Sequence, residues 1–157
     1  MQTIEDVDRL IKSWDRLIAR LPGKKREVLE AMGQRILGDV RQEIGGTGKV
    51  QGWQERYIGS YNGYMAVRAK ADTYQVTKSG NRYAVGYITN AIENGHDPRP
   101  PRGQERANRP GHKPRENVDR VHGLMFYSSV RYRLKHADPA ELRQLMAEIV
   151  QGLEGNL

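Results

Sequence analysis

The sequence IEDVDRLIKSWDRLIARLPG, residues 4–23, sets the helical character of the N-terminal half. Its apolar residues recur at steps of three and four, which is the spacing of one stripe along an amphipathic α-helix. The stripe consists of Ile4, Val7, Leu10, Ile11, Trp14, Leu17, Ile18 and Leu21. We expect the helix to end at Pro22-Gly23, because proline disrupts a helix interior and glycine has a low helix propensity.

A second periodic run predicts another helix, which ends at Gly45-Gly46. Its apolar residues are Val28, Leu29, Met32, Ile36, Leu37, Val40 and Ile44. We expect these two helices to pack on each other or on one shared sheet. Together they make residues 3–44 the helical part of the chain.

The apolar spacing changes from the helical period to alternation at Tyr64, which predicts half-buried strands. The turn residues at 78–81 separate two of these alternating runs. The simplest interpretation is a three-stranded antiparallel meander over residues 64–88, with Tyr83, Val85 and Tyr87 on one face. A short helix is expected to follow from residue 88 and to end at Gly95, in a left-handed cap.

The C-terminal region, residues 124–153, is predicted to be helical. Asp138, Pro139 and Glu141 offer a capping acid, a proline at the first helical position and a glutamate at the third. An amphipathic stripe follows, formed by Leu142, Leu145, Met146, Ile149, Val150 and Leu153. The predicted class is therefore α+β: a small antiparallel sheet packed against amphipathic helices, in a single domain of residues 1–157.

The composition limits the functions that the chain can have. There are 26 Lys and Arg against 19 Asp and Glu, a net charge of +7, which favours acidic partners such as nucleic acid or a negatively charged protein surface. Cysteine is absent, which excludes a disulfide framework, a thiolate metal site and a cysteine nucleophile. No run approaches the roughly 20 apolar residues of a membrane span, so we expect a soluble protein made in the cytoplasm.

A long basic segment, residues 96–120, separates the sheet from the C-terminal helices. Its prolines bias the backbone towards extended conformations, so we expect a loop that reaches far without a core. The cations that would face DNA or a partner protein are Arg99, Arg102, Arg106, Arg109, Lys113 and Arg115. We interpret the segment as a docking arm that becomes ordered on assembly; the alternatives are a solvated loop with no fixed partner and a permanent DNA contact.

Catalytic and ligand signatures are weak. His96, His112, His122 and His136 have no spacing typical of metal ligands, although a metal nuclease using His96 and His112 is one alternative. The run GGTGK at 45–49 follows a predicted helix and lacks the Ser or Thr of a phosphate-binding loop. Tyrosines around the sheet are a further alternative, as a stacking platform for single-stranded nucleic acid. We predict no catalytic, cofactor-binding or metal-binding residue, and so no enzyme and no cofactor.

Three short motifs follow one another in the chain: GTG at 46–48, YAVGYITNAIENGH at 83–96 and RVHGLMFYSSV at 120–130. With the helical N-terminal half and the final amphipathic helix, this order resembles the tail-completion or head–tail joining (neck) proteins of long-tailed bacteriophages. The positions that match the family pattern are Tyr83, Ala84, Glu93, Gly95, His96, Gly123, Met125 and Phe126. The basic segment is longer than the connection that is usual in that family.

The resemblance implies a structural virion protein without enzymatic activity. It implies a homo-oligomeric ring at the virion neck, between the connector on the portal side and the tail tube, with the genome passing through the lumen. Partners would be the connector and tail-tube proteins, with a non-specific contact to genomic DNA and no membrane. The alternatives are a tail-terminator protein on the same kind of fold and a non-sequence-specific DNA-binding protein that uses the basic loop.

Overall fold

The computed structural model describes residues 2–46, 48–96 and 120–156. The helices are α1 (Gln2–Ile44), α2 (Lys49–Gly52), α3 (Val85–Asn94), α4 (Phe126–Lys135) and α5 (Ala140–Leu153). The strands are β1 (Gln54–Ile58), β2 (Met65–Ala69), β3 (Tyr74–Val76), β4 (Arg82–Ala84), β5 (Gly95–His96) and β6 (Val121–His122). The predicted α+β class is confirmed, with helix predominating over small antiparallel sheets.

The N-terminal region is one helix of 43 residues that continues through Pro22, so the predicted break at Pro22-Gly23 is wrong. The reason is tertiary: α5 lies along α1 on both sides of the proline. On one side Ser13 Oγ donates to the Gly152 carbonyl oxygen over 2.9 Å, and on the other Arg35 Nε lies 3.3 Å from Glu141 Oε1. Packing against α5 outweighs the local preference of proline. Neither α1 nor any other helix of the described residues is both long and apolar enough to cross a membrane.

The described strands form three separate two-stranded antiparallel sheets, β1 with β2, β3 with β4 and β5 with β6, in place of one meander. In the first hairpin Gln54 pairs with Ala69 and Ile58 with Met65. Met65 and Val67 pack against the core, as the alternation predicts. Strand β1 was not predicted, because its sequence QERYI has only one aliphatic residue and its fully buried member is Gln54.

Residues 85–88 belong to α3, so the prediction of a strand through residue 88 is wrong beyond β4. Val85, Thr89 and Glu93 are buried at steps of four, which places them on one side of a helix. The alternation of Tyr83, Val85 and Tyr87 is therefore a coincidence of spacing. Burial of this helical side decides the conformation of the segment.

The core lies between the C-terminal half of α1, the β1–β2 hairpin and α4. Its buried apolar residues are Ile36, Leu37, Val40, Val85, Phe126 and Val130. Ile36 and Val40 contact Phe126 and Val130 in one cluster, and burial of each such side chain contributes about 1.5–3 kcal/mol. The core thus fixes α4 on α1, which sets the position of the candidate site.

The last helix, α5, begins one residue later than its sequence suggests. Pro139 is the residue that precedes the helix, and no side chain caps it, so the predicted cap by Asp138 is wrong. The Asp138 carboxylate instead lies 3.3 Å from Arg143 Nε. The backbone amides of Leu142 and Arg143 donate to the Pro139 carbonyl oxygen over 3.1 and 3.2 Å. An exposed ion pair has replaced the expected capping hydrogen bond.

Candidate functional site around Glu93

Six of the eight positions that carry the family resemblance converge where α3 ends and α4 begins. They are Glu93, Gly95, His96, Gly123, Met125 and Phe126. The convergence is made by β5 and β6, which pair Gly95 with His122 and His96 with Val121. The chain leaves this place at His96 and returns to it at Val121, so the two ends of the basic segment lie side by side.

Two glycines allow the backbones to approach at this junction. Gly95 has φ 72° and ψ −174°, a conformation that is accessible almost only to glycine, and a Cβ there would clash with the Val121 carbonyl oxygen. A Cβ on Gly123 would clash with the Glu93 carbonyl oxygen. The predicted left-handed cap at Gly95 is wrong, because φ is positive but ψ is extended, and the chain passes directly from α3 into β5. Both positions therefore require glycine.

Glu93 caps α4 from a distance in sequence. Its carboxylate accepts hydrogen bonds from the backbone amides of Tyr127 and Ser128, each over 3.0 Å, and from Ser128 Oγ over 2.9 Å. These amides have no partner within the helix, and the positive end of the helix dipole stabilises the negative charge. Met125, at the usual capping position, has φ 55° and no capping side chain. Glu93 is only 5% exposed, so its charge is stabilised by these donors.

A buried polar cluster extends from this cap towards α1. The Tyr127 hydroxyl donates to Gln54 Oε1, Gln54 Nε2 donates to the Val50 carbonyl oxygen over 3.0 Å, and Arg41 Nη2 donates to the Gln54 carbonyl oxygen over 3.1 Å. Burial and, to a smaller extent, the negative charge of Glu93 together raise the pKa of Tyr127 to about 12. Tyr127 is therefore a neutral donor at physiological pH, and it links α4 to β1.

The opposite side of α4 is held to α1 by Glu43. Its carboxylate accepts hydrogen bonds from Ser129 Oγ over 2.8 Å and from Arg133 Nη1 over 2.9 Å. These hydrogen bonds, first that of Ser129 and then that of Arg133, lower the pKa of Glu43. The start of α4 is thus fixed from two sides by carboxylates of other elements.

A shallow cleft of about 320 Å³ lies beside Glu93, between α3 and β2. Thr89 and Asn90 of α3 line one wall, and Val67 and Arg68 line the other. Thr89 is buried, and its Oγ1 has no hydrogen-bond partner among the described residues. The Glu93 carboxylate at the end of the cleft is already engaged by three donors of α4, so its clearest role is structural.

The remaining predicted positions lie elsewhere. Tyr83 and Ala84 are at the other end of α3, about 15 Å away for a helix of this length, and both are exposed. The six cations of the basic segment, from Arg99 to Arg115, lie outside the described residues. So does His112, while His96, His122 and His136 are exposed. Within the described part of the chain, no group of three or more His, Asp or Glu residues could hold a metal ion.

Sequence reasoning missed Gln54, Tyr127 and Ser128 as partners of the site. Gln54 is polar and lies in a run with no clear pattern, yet it is fully buried. One signal was available for α4: no Ser, Thr, Asp or Asn stands just before Phe126, where a helix usually finds its cap. A helix start that lacks a local cap and packs against the protein can take its cap from a distant residue, although its sequence does not say which residue supplies it.

Comparison with known proteins identified no relative of the chain. No protein-family model, no curated protein and no solved structure matches the chain. The assignment of a function therefore depends on the residues and geometry of the site and on the motif resemblance.

Proposed function

We propose that the chain is a structural subunit of the neck of a long-tailed bacteriophage, which joins the head connector to the tail. The observation that supports the proposal is the joining of two motifs 30 residues apart in sequence: Glu93 and Gly95 meet Gly123 and Phe126 in one rigid junction. These residues build a fixed base from which the basic segment emerges. In this proposal the junction presents a charged arm.

The proposed mechanism is electrostatic attachment on a rigid support. Copies of the chain form a closed ring around the DNA channel through repeated subunit contacts. Each copy contributes one basic segment, whose cations meet either the genome in the lumen or an acidic surface of the adjoining ring. Contacts to phosphate carry affinity without sequence discrimination and weaken steeply with salt. The ring form, the virion location and the connector and tail-tube partners belong to this proposal.

A genetic test addresses this function directly. The gene is deleted from the phage or prophage genome that encodes the chain, and lysates are viewed by electron microscopy. We expect filled heads and free tails that do not join, and complementation in trans by the wild-type chain. Normal yields of joined virions after deletion would refute the proposal.

Variants in which cations are replaced by neutral residues test the role of the basic segment. The first variant replaces its six cations by glutamine, at Arg99, Arg102, Arg106, Arg109, Lys113 and Arg115. The control variant replaces six exposed cations of other elements, at Arg20, Lys25, Lys70, Lys78, Arg131 and Lys135. We expect complementation by the control and not by the first variant. If both complement equally, the segment is not the attachment arm.

A DNA-binding protein that acts outside a virion predicts a different result. In that case the six-cation variant loses binding to duplex DNA at moderate salt, while deletion of the gene leaves the joining of heads and tails intact. The net charge of +7 is compatible with both functions, so the microscopy is the measurement that separates them.

A further inference from the structure

Helix α1 carries two apolar stripes, and only one of them is covered by the described residues. The covered stripe contains Leu10, Leu17 and Leu21, which are half-buried, with Ser13 buried against α5. The other stripe is exposed and follows steps of three and four, the spacing of a coiled-coil seam. Its members are Ile4, Val7, Ile11, Trp14 and Ile18, with exposed fractions from 44% at Trp14 to 70% at Ile4.

Helix α5 repeats this arrangement. Leu145 and Ile149 are half-buried and Gly152 is buried on the side towards α1. A second row, at steps of four and three, lies about a quarter turn from that side and is exposed. It consists of Leu142, Met146, Val150 and Leu153.

The two exposed rows lie on the same side of the helix pair. Residues advance by about 100° each around a helix, so each exposed row is about a quarter turn from the row that faces the other helix. Each exposed row is displaced from its facing row in the same rotational sense along its own chain. Because α1 and α5 run antiparallel, these rotations are opposite in space, and both exposed rows lie on the same side of the helix pair. Trp14 and Leu153 confirm the proximity, since Trp14 Nε1 donates to the Leu153 carbonyl oxygen over 3.2 Å. The rows therefore form one continuous surface, which we call the α1–α5 apolar face.

The extent of this face suits a protein interface. Nine large apolar side chains leave apolar area on the order of 800 Å² uncovered, which is what one partner contributes to an interface of standard size. The largest apolar patch on a typical monomer is smaller, roughly 300–600 Å². The first two turns of α1, with Ile4 and Val7, also extend past the end of α5, and short unsupported helical segments are marginal in water.

The charges around the face indicate which kind of partner binds it. Residues 4–18 contain four acids and three bases, and residues 140–153 contain two acids and one base, although the whole chain carries +7. A nearly neutral apolar surface gives DNA nothing to bind. A membrane-surface helix would have mainly Lys and Arg beside its apolar stripe, whereas Asp8 and Asp15 lie beside this one. A second copy of the chain meets no strong repulsion here.

We propose that a second copy of this chain covers the α1–α5 apolar face. This inference rests on the proposed function, which supplies the purpose of the contact. The face is a contact between subunits of the assembly. The packed helix pairs of two copies would form an isologous interface of the helix-bundle type, with the seam of α1 buried, and this pairing contact is distinct from the heterologous contacts that close the ring. The contact itself is tested with the purified full chain alone.

The test is sedimentation velocity of the full chain over a range of concentrations. Ile11→Glu in α1 and Val150→Glu in α5 each place a charge in the face, and both positions are exposed in a single copy, so the fold is retained. We expect the wild-type chain to associate and each variant to lose roughly tenfold or more of its association constant. The matched control is Val76→Glu, an exposed valine of β3 outside the face, which should associate as the wild type does.

Fluorescence provides an independent measurement, because the chain has only two tryptophans. In a Trp53→Phe background, the emission of Trp14 should shift to shorter wavelength as the concentration rises, and Ile11→Glu should abolish the shift. A wild-type chain that stays monomeric at all concentrations, or face variants that associate normally, would overturn the inference. The sedimentation and fluorescence measurements do not depend on virion assembly. The gene deletion can therefore refute the proposed function while self-association is observed, and self-association can be absent while the proposed function holds.

Discussion

The two halves of α1 have the same apolar periodicity and opposite surroundings. Ile36 in the C-terminal half is 7% exposed and Val40 is 1% exposed, whereas Ile18 in the N-terminal half is 68% exposed. The C-terminal half lies under the β1–β2 hairpin and α4, while the N-terminal half is held to α5 by the hydrogen bonds of Ser13 and Trp14. Periodicity therefore identifies an apolar face but not what covers it.

The same substitution in each half of α1 should have very different effects on stability. Ile36→Ala should lower the free energy of unfolding by about 2–5 kcal/mol, because it leaves a cavity in the core. Ile18→Ala should change it by less than about 0.5 kcal/mol in dilute solution, since its side chain is already in water. Urea denaturation at low protein concentration measures both. Equal losses would show that the N-terminal half is covered within a single copy.

Pro22 marks the boundary between the two halves, and its replacement should stabilise the chain. Proline in a helix interior is about 3 kcal/mol less favourable than alanine and clashes with the carbonyl of Ile18. We expect Pro22→Ala to raise the free energy of unfolding by about 1–3 kcal/mol, observed as a higher Tm and slower amide exchange before residue 22. Gln34→Ala, at an exposed position of the C-terminal half, is the control and should have little effect. A loss of stability on Pro22→Ala would mean that α1 needs the proline.

Helix α4 covers the C-terminal half of α1, and its position depends on Glu93, which caps the start of α4. Glu93→Ala should cost about 1–3 kcal/mol, because the partly buried amides of Tyr127 and Ser128 lose their acceptor. Asp138→Ala is a matched control: it also removes an acid just before a helix, but that acid makes no cap, so the change should stay within about 0.5 kcal/mol. Denaturant unfolding compares the two variants. Similar losses would contradict the assignment of Glu93 as the distant cap.

The smallest expected effect is a pH dependence at Tyr127. Its folded pKa of about 12 lies above the ordinary value of 10.0, so the fold favours the neutral hydroxyl. The stability that follows is fully present below pH 10 and is lost as the pH rises through 12. In an ultraviolet titration of tyrosinate, one of the eight tyrosines should ionise late. This late step should disappear in Tyr127→Phe and persist in Tyr132→Phe, which removes an exposed tyrosine; its persistence in Tyr127→Phe would disprove the assignment.

Much of the local structure was predictable because local signals and tertiary packing agree there. The helices over 126–135 and 140–153 and the strands around Met65 and Tyr74 lie where periodicity places them. The errors occur where packing overrides a local rule. Pro22 is held inside a helix by α5, the segment after Ala84 is helical because it buries one side, and Asp138 pairs with Arg143 when a cap was expected.

The candidate site shows the same division. Glu93, Gly95, Gly123 and Phe126 were identifiable from short motifs, but their mutual contact was not, because residues 30 apart in sequence meet only through β5 and β6. Gln54 carried no signal at all. A buried polar residue is recognised by its partners, and those partners lie on other elements.

Local sequence features are sufficient for the α+β class, the amphipathic nature of most helices, the positive charge and the need for glycine where the chain turns at residue 95. These properties are local, since they depend on side-chain spacing and backbone freedom within a few residues. Only the tertiary structure decided that α1 is continuous, that Glu93 caps α4, and which apolar stripe of α1 is covered. Those outcomes depend on contacts between distant segments, whose free energies exceed the local preferences that they oppose.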